Sequence, residues 1–300
     1  MSRELKSTIM LLTAAIIWGF AYVAQVSGMS HVGPLTFNFA RFLVGGVFLI
    51  IIYNIFKRTI PYYKNEIYSL NKTIKYGVIC GLLLTVGNNL QQSSLLGTSA
   101  GKVGFLTSTY IVIIPLIQFF FGKRISNRII FCIFIAMCGV YLLSVKENLS
   151  INSYDILVLV SVLFFAIHIM IMATCPDDCE KILVSMIQFF VTSILSIILA
   201  FLFEDIAIIN LFKAYKEILF VGIISSGIAY TLQMLAFKDI DPTIGSLVAS
   251  LESVFSVIGA WIFLNQRMNL REISGCVIIL IATVVAQLPS KGKRCGFRKG

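Results

Sequence analysis

Only a short series of side chains in this 300-residue chain could do chemistry inside otherwise apolar surroundings. Glu252 and His168 place a carboxylate and an imidazole within hydrophobic runs, where each could hold a polar group or carry a proton. A Glu252–His168 pair is one expectation. Arg41 puts a guanidinium in a third run, suited to grip a carboxylate or phosphate bidentately. Its alternative role is to snorkel to headgroups or fix a helix. Asn88, Gln91 and Gln92 lie in one run, Tyr230 and Gln233 in another. Asn88 and Gln92 share a helix face by their spacing, as do Tyr230 and Gln233. Such uncharged donors and acceptors suit a zwitterionic or neutral polar substrate, and equally suit hydrogen bonds between helices. Trp18, with Tyr22 one turn on, and Tyr110 offer an aromatic wall for an apolar side chain or a cation. The substrate-binding candidates are therefore Trp18, Arg41, Asn88, Gln92, Tyr110, His168, Tyr230, Gln233 and Glu252.

None of these residues forms a catalytic motif. The sequence has no His-Glu-x-x-His, no Gly-x-Ser-x-Gly and no Walker loop, which argues against an enzyme or an ATP-driven pump in this chain. Cys175 and Cys179 flank Pro-Asp-Asp, but a zinc site would need two more ligands. No cofactor or metal is expected.

The elements that must position these groups follow from composition. Hydrophobic residues make up 58% of the chain and charged residues 13%, about half of the roughly 25% that a soluble domain needs to cover its surface. A soluble enzyme and a secreted disulfide scaffold are both excluded. Ten runs approach the ~20 residues needed to cross a bilayer: 8–27, 34–56, 74–96, 102–121, 129–145, 155–173, 183–203, 216–236, 243–264 and 272–288. Gly28, Pro34, Gly97, Gly122, Pro176, Pro242 and Pro289 punctuate their ends. Gly77 and Gly81 predict close helix packing. Trp261 is expected in an interfacial aromatic belt and Lys102 among headgroups.

The net charge of +10 sits in short loops without interleaved aromatics, so it reads as topology signal rather than nucleic-acid binding. With the N-terminus inside, seventeen Lys and Arg fall on the cytoplasmic side and six outside, which puts both termini in the cytoplasm. A collinear repeat is also visible. Arg41-Phe42 corresponds to Gln188-Phe189, and Gln92 to Gln233. Ser108-Thr109-Tyr110 corresponds to Ser250-Leu251-Glu252, and Gly122-Lys123-Arg124 to Asn265-Gln266-Arg267. Each unit holds five spans, and an odd number makes the second copy enter from the opposite side. An all-α membrane protein follows, with ten transmembrane helices as two inverted five-helix repeats, 8–145 and 155–288, and a basic cytoplasmic tail, 289–300.

Ile16-Ile17-Trp18-Gly19-Phe20, Phe39-Ala40-Arg41-Phe42, Gly97-Thr98-Ser99-Ala100-Gly101 and Leu251-Glu252-Ser253-Val254 resemble signatures of the EamA family of the drug/metabolite transporter superfamily. The chain departs from that pattern at Ser253, where the family often has proline, and at Gly122-Lys123 and Asn265-Gln266, where it often has Gly-Glu. The resemblance implies ten helices around a central cavity, alternating access, and export of amino acids or other small metabolites. The expected protein is a multi-pass carrier of the cytoplasmic membrane, monomeric or homodimeric. Its partners would be a small-molecule substrate, the lipid bilayer and, as a candidate coupling ion, protons. The cavity would be lined by spans one, three, four, six, eight and nine. Uptake of a nucleotide-like or vitamin metabolite, and a non-transporting receptor or assembly protein, are the alternatives.

Overall fold

The computed structural model describes residues 2–59, 68–144, 152–264 and 269–288. Expectations that fall on Lys64, Lys146, residues 265–268 (part of one repeat match) and the tail 289–300 with Pro289 lie outside them. Among the described residues every regular element is helical. The long helices are α1 (Arg3–Met29), α2 (Pro34–Thr59), α3 (Leu70–Ser94), α4 (Ala100–Phe120) and α5 (Asn127–Ser144). There follow α6 (Ser153–Ala173), α7 (Lys181–Phe203), α8 (Tyr215–Ala236), α9 (Pro242–Phe263) and α10 (Leu270–Gln287).

Among the described residues, eight of these are long and apolar enough to cross a membrane. The sequence predicts ten, and α3 and α5 are the two that differ. α3 is 25 residues long, but its amides and hydroxyls lower its hydropathy. α5 is apolar over a shorter length, Asn127–Leu142.

The distribution of side chains is the reverse of a water-soluble protein's. Ile51 and Ile55 of α2, Leu82 of α3, Phe131 and Phe134 of α5, Phe201 to Phe203 of α7 and Val284 of α10 are exposed, as is Trp261. Asn38, Arg41, Asn88, His168, Gln188 and Glu252 are buried. In water such an arrangement would be costly; in hydrocarbon it is the economical one, because polar groups find partners only inside the bundle. The chain is a multi-pass membrane protein.

Polar contacts tie the helix ends together at two faces. On the face that carries Pro34, Glu204 at the end of α7 accepts from Leu35 N at 2.7 Å, Thr36 N at 2.9 Å and Thr36 Oγ1 at 2.6 Å, so its carboxylate caps α2. Ser27 donates to Glu217 at 3.0 Å on the same face. On the opposite face Lys72 meets Asp178 at 2.7 Å and Lys238 meets Asp177 at 3.6 Å. The Lys72 hydrogen bond holds the Asp178 carboxyl below the ordinary carboxylate range.

Packing is tightest where glycines meet large partners. Gly77 and Gly81 face Ile187 and Val191 of α7, as the small-residue spacing predicts. α4 and α9 are not continuous. α4 breaks between Ala100–Ser108 and Tyr110–Phe120, and α9 between Pro242–Ala249 and Glu252–Leu264. At both breaks serine and threonine hydroxyls bond back to the preceding turn: Thr109 Oγ1 to Leu106 O at 2.6 Å, and Ser250 Oγ to Leu247 O at 2.8 Å. Gly19 of α1 lies against the second break. A Cβ there would stand 2.7 Å from the Phe255 backbone carbon and 2.8 Å from Glu252 O, neither of which can swing away. Gly19→Ala is therefore expected to destabilise the protein by about 1–3 kcal/mol. Gly101→Ala, where nothing lies within 4 Å, is expected to leave the melting temperature in detergent unchanged. Equal melting of both variants and wild type would refute the contact.

Candidate substrate cavity

The breaks in α4 and α9 bring Tyr110 and Glu252 to the same level of the bundle, each at the start of the helix segment that follows the break. Tyr110 donates its hydroxyl to Glu252 Oε1 at 3.4 Å, a long bond, and both side chains line one cavity. Its empty space is ≈ 560 Å³, the part open to the outside included. α1 contributes Trp18, Tyr22 and Gln25, which fall on one helix face by their spacing. α2 contributes Arg41, α3 Asn88 and Gln91, and α4 Thr107 beside Tyr110. α6 supplies Phe165, His168 and Ile169, and α8 supplies Ser225, Tyr230 and Gln233.

The charged groups stand apart. Arg41 is 2% exposed, so it does not snorkel. Its Nε donates to Asn38 Oδ1 at 2.8 Å and its Nη2 to Asn88 Oδ1 at 2.5 Å, and its guanidinium lies 4.5 Å from the Phe42 ring centroid. Asn38 is itself fixed, donating to Asn89 Oδ1 at 2.7 Å and Asn88 O at 3.1 Å. These partners are all neutral, and among the described residues no carboxylate comes within ion-pair distance of Arg41. Glu252 is 5% exposed and likewise has no cation within that distance. A buried charge without a counter-charge is costly, so Arg41 calls for an anion and Glu252 for a cation or a proton.

The neutral wall is partly satisfied. Gln91 Nε2 donates to Thr107 Oγ1 at 2.8 Å and to the Tyr22 hydroxyl at 3.2 Å. The Tyr230 hydroxyl donates to Asn88 Oδ1 at 3.3 Å, and its ring lies 5.1 Å from that of Trp18. Three buried polar atoms of the wall have no partner: Trp18 Nε1, Ser225 Oγ and Gln233 Oε1. They are a donor, a hydroxyl and an acceptor enclosed within the wall and left unpaired.

Eight of the nine residues singled out from the sequence stand in this wall. Gln92 does not; it is 1% exposed, and both ends of its amide lack a partner. The wall takes Asn88 and Gln91, three apart, instead of Asn88 and Gln92. α2 also joins the lining through Arg41, beyond the six spans expected. The Glu252–His168 pair does not form. His168 Nε2 lies 2.9 Å from Gln188 Oε1, while Glu252 turns to Tyr110. Lys102, expected among headgroups, pairs with Asp155 at 2.5 Å, at the start of α6. Gln25 and Phe165 were findable, since they fall on the faces of Tyr22 and His168. Ser225 was not, because residues Val221–Tyr230 form a π-helical stretch that rotates the following face of α8. Among the described residues no group of three or more His, Cys, Asp or Glu could hold a metal ion.

Known proteins extend this picture. An archaeal relative, an uncharacterized transporter of Archaeoglobus fulgidus, is 24% identical over 287 residues, covering 95% of this chain and 87% of its own. The uncharacterized transporter YoaV of Bacillus subtilis is 21% identical over 278 residues, covering 90% and 92%. A crystal structure titled only as that of a protein superposes with a TM-score of 0.74 at 18% identity, covering 94% of this chain and 96% of that one, which shows a shared fold. The sequence profile of the EamA-like transporter family matches residues 5–145 and again residues 152–287. The chain therefore belongs to the EamA-like transporter family, within the drug/metabolite transporter superfamily, and is a membrane transporter.

Proposed function

We propose that this transporter carries small zwitterions, amino acids first among them, by alternating access between two inverted five-helix units, 8–145 and 155–288. The observation that carries the reading is that a basic and an acidic side chain, Arg41 and Glu252, line one cavity without forming an ion pair. Arg41 can take a carboxylate and Glu252 an ammonium group, and neither neutralises the other. Trp18 and Tyr110 stand against the rest of the molecule. A cavity with polar side chains in its lining also argues against a non-transporting receptor, for which a dry, closed bundle would serve.

Three features support the two-unit mechanism. The family profile matches twice, once per proposed unit. Helix packing is preserved when the units are exchanged: α3 on α6 corresponds to α8 on α1, α2 on α8 to α7 on α3, and α2–α7 and α5–α10 pair with themselves. Both units break their fourth helix at matching residues, Thr109 and Leu251. α3 belongs among the spans on this reading, because its 25 residues rise about 37 Å and its polar face points into the cavity.

Driving force follows from Glu252. A carboxylate at membrane depth needs a cation or a proton, so substrate ammonium and proton compete for it, which is the basis of proton antiport and of export. The direct test is counterflow in proteoliposomes loaded with the twenty L-amino acids. Accumulation of a labelled amino acid is expected; none for any of the twenty would retire the reading.

The proposed orientation, both termini in the cytoplasm of a cell-membrane protein, has its own test. A membrane-impermeant maleimide is expected to label His31→Cys in intact cells and the native Cys295 only after permeabilisation. The reverse pattern would invert the topology.

A further inference from the structure

The two units are alike in fold but not in charge, and the cavity wall exposes the difference. The repeat pairs Arg41-Phe42 of α2 with Gln188-Phe189 of α7, so a guanidinium in one unit stands where an amide stands in the other. Arg41 lines the cavity. Gln188 does not: it is fully buried, its Oε1 lies against His168, and its Nε2 has no partner.

The faces differ in the same sense. In α4, Gly101 has nothing within 4 Å on the Pro34 face. Its repeat counterpart in α9 is Thr243, which is 2% exposed and donates to Gln118 Oε1 at 2.8 Å. Beside that bond Lys123 pairs with Asp241, so α4 and α9 are latched together on the opposite face. α4 and α9 are thus joined on the face opposite Pro34, while Arg41 stands in the cavity wall and Gln188 lies behind it.

We infer that Arg41 and Gln188 are one binding position in two states of the carrier, so that the substrate carboxylate meets a guanidinium from the Pro34 face and a neutral amide from the other. This rests on the zwitterion-carrier reading above. When the units exchange conformations, Gln188 turns into the wall beside His168 and Arg41 is covered. The orphaned Gln188 Nε2 is then the donor that receives the carboxylate. A hydrogen bond to a charged donor is stronger than one to an amide by enough to change affinity ~10-fold. The asymmetry makes the pair the determinant of sidedness, and of how strongly the carrier distinguishes an amino acid from its amine on each face.

The experiment compares right-side-out with inside-out membrane vesicles carrying the full chain, using labelled L-amino acids and, as competitor, the decarboxylated amine of the best-carried one. Wild type is expected to show a half-saturating concentration ~10-fold lower from the Pro34 face. On that face the amine should compete poorly, and on the other nearly as well as the amino acid. Gln188→Arg is expected to bring the weaker face toward the stronger, with amine discrimination appearing there. The wild-type comparison needs no variant, so a misfolded Gln188→Arg would not shield the inference. Equal half-saturation and equal discrimination on both faces would overturn it while leaving the carrier reading intact. Uptake of no amino acid into either vesicle type would overturn the carrier reading itself.

Discussion

Arg41→Gln is expected to lower amino-acid counterflow by about 10-fold while leaving the protein at least as heat-stable as wild type. The loss comes from exchanging a charged donor for a neutral amide as the partner of a buried substrate carboxylate. The stability follows from the surroundings. Arg41 is held by Asn38, Asn88 and the Phe42 ring, all uncharged, so its burial is not offset by an ion pair among the described residues. A glutamine amide keeps a donor near Asn88 Oδ1 and removes the desolvated charge. Initial rates across substrate concentrations, together with melting in detergent, separate the two effects. A variant that melts far below wild type would show that Arg41 is a structural clamp, and one that transports normally would show that it does not touch substrate.

Glu252→Gln is expected to cut counterflow by a comparable factor and to remove its pH dependence. In the wild type, acidification should weaken substrate binding, because the proton and the ammonium group compete for one carboxylate. An amide can accept a hydrogen bond from the ammonium but offers it no charge, and it binds no proton. Both consequences come from a single group, so they should disappear together. Loss of pH-gradient-driven transport with counterflow spared would assign Glu252 to the proton alone and leave the ammonium without a holder.

Much of this was legible in the residues because the membrane removes alternatives. A glutamate in the middle of an apolar run has no water to face, so Glu252 and His168 could be placed inside the bundle from their positions, whereas for Arg41 snorkelling stood as an equal alternative until its burial decided it. Gly19 stood in the sequence only as part of a family-like signature, and the structure adds that it lets α1 lie on the backbone of the α9 break. What could not be read depends on partners distant in sequence. Lys102 has no sign in its own neighbourhood of Asp155, 53 residues away. The choice of Gln91 over Gln92 depends on where Thr107 and Tyr22 stand, which helical periodicity cannot say. The breaks at Thr109 and Leu251 interrupt runs that remain apolar on both sides, because serine and threonine satisfy the freed carbonyls locally without a proline or glycine to mark the place. The π-helical stretch of α8 leaves no periodic signal and shifts the face that follows it.

The central claim is that one cavity holds both charges of its substrate, Arg41 taking the anion and Glu252 the cation. The most direct measurement is competition in proteoliposome counterflow among the best-carried amino acid, its decarboxylated amine and its deaminated acid. The account predicts that the amino acid competes at least ~10-fold better than either single-charged analogue, since each analogue leaves one buried charge without its partner. If the amine or the acid competes as well as the amino acid, only one of the two charges meets substrate and the account is contradicted.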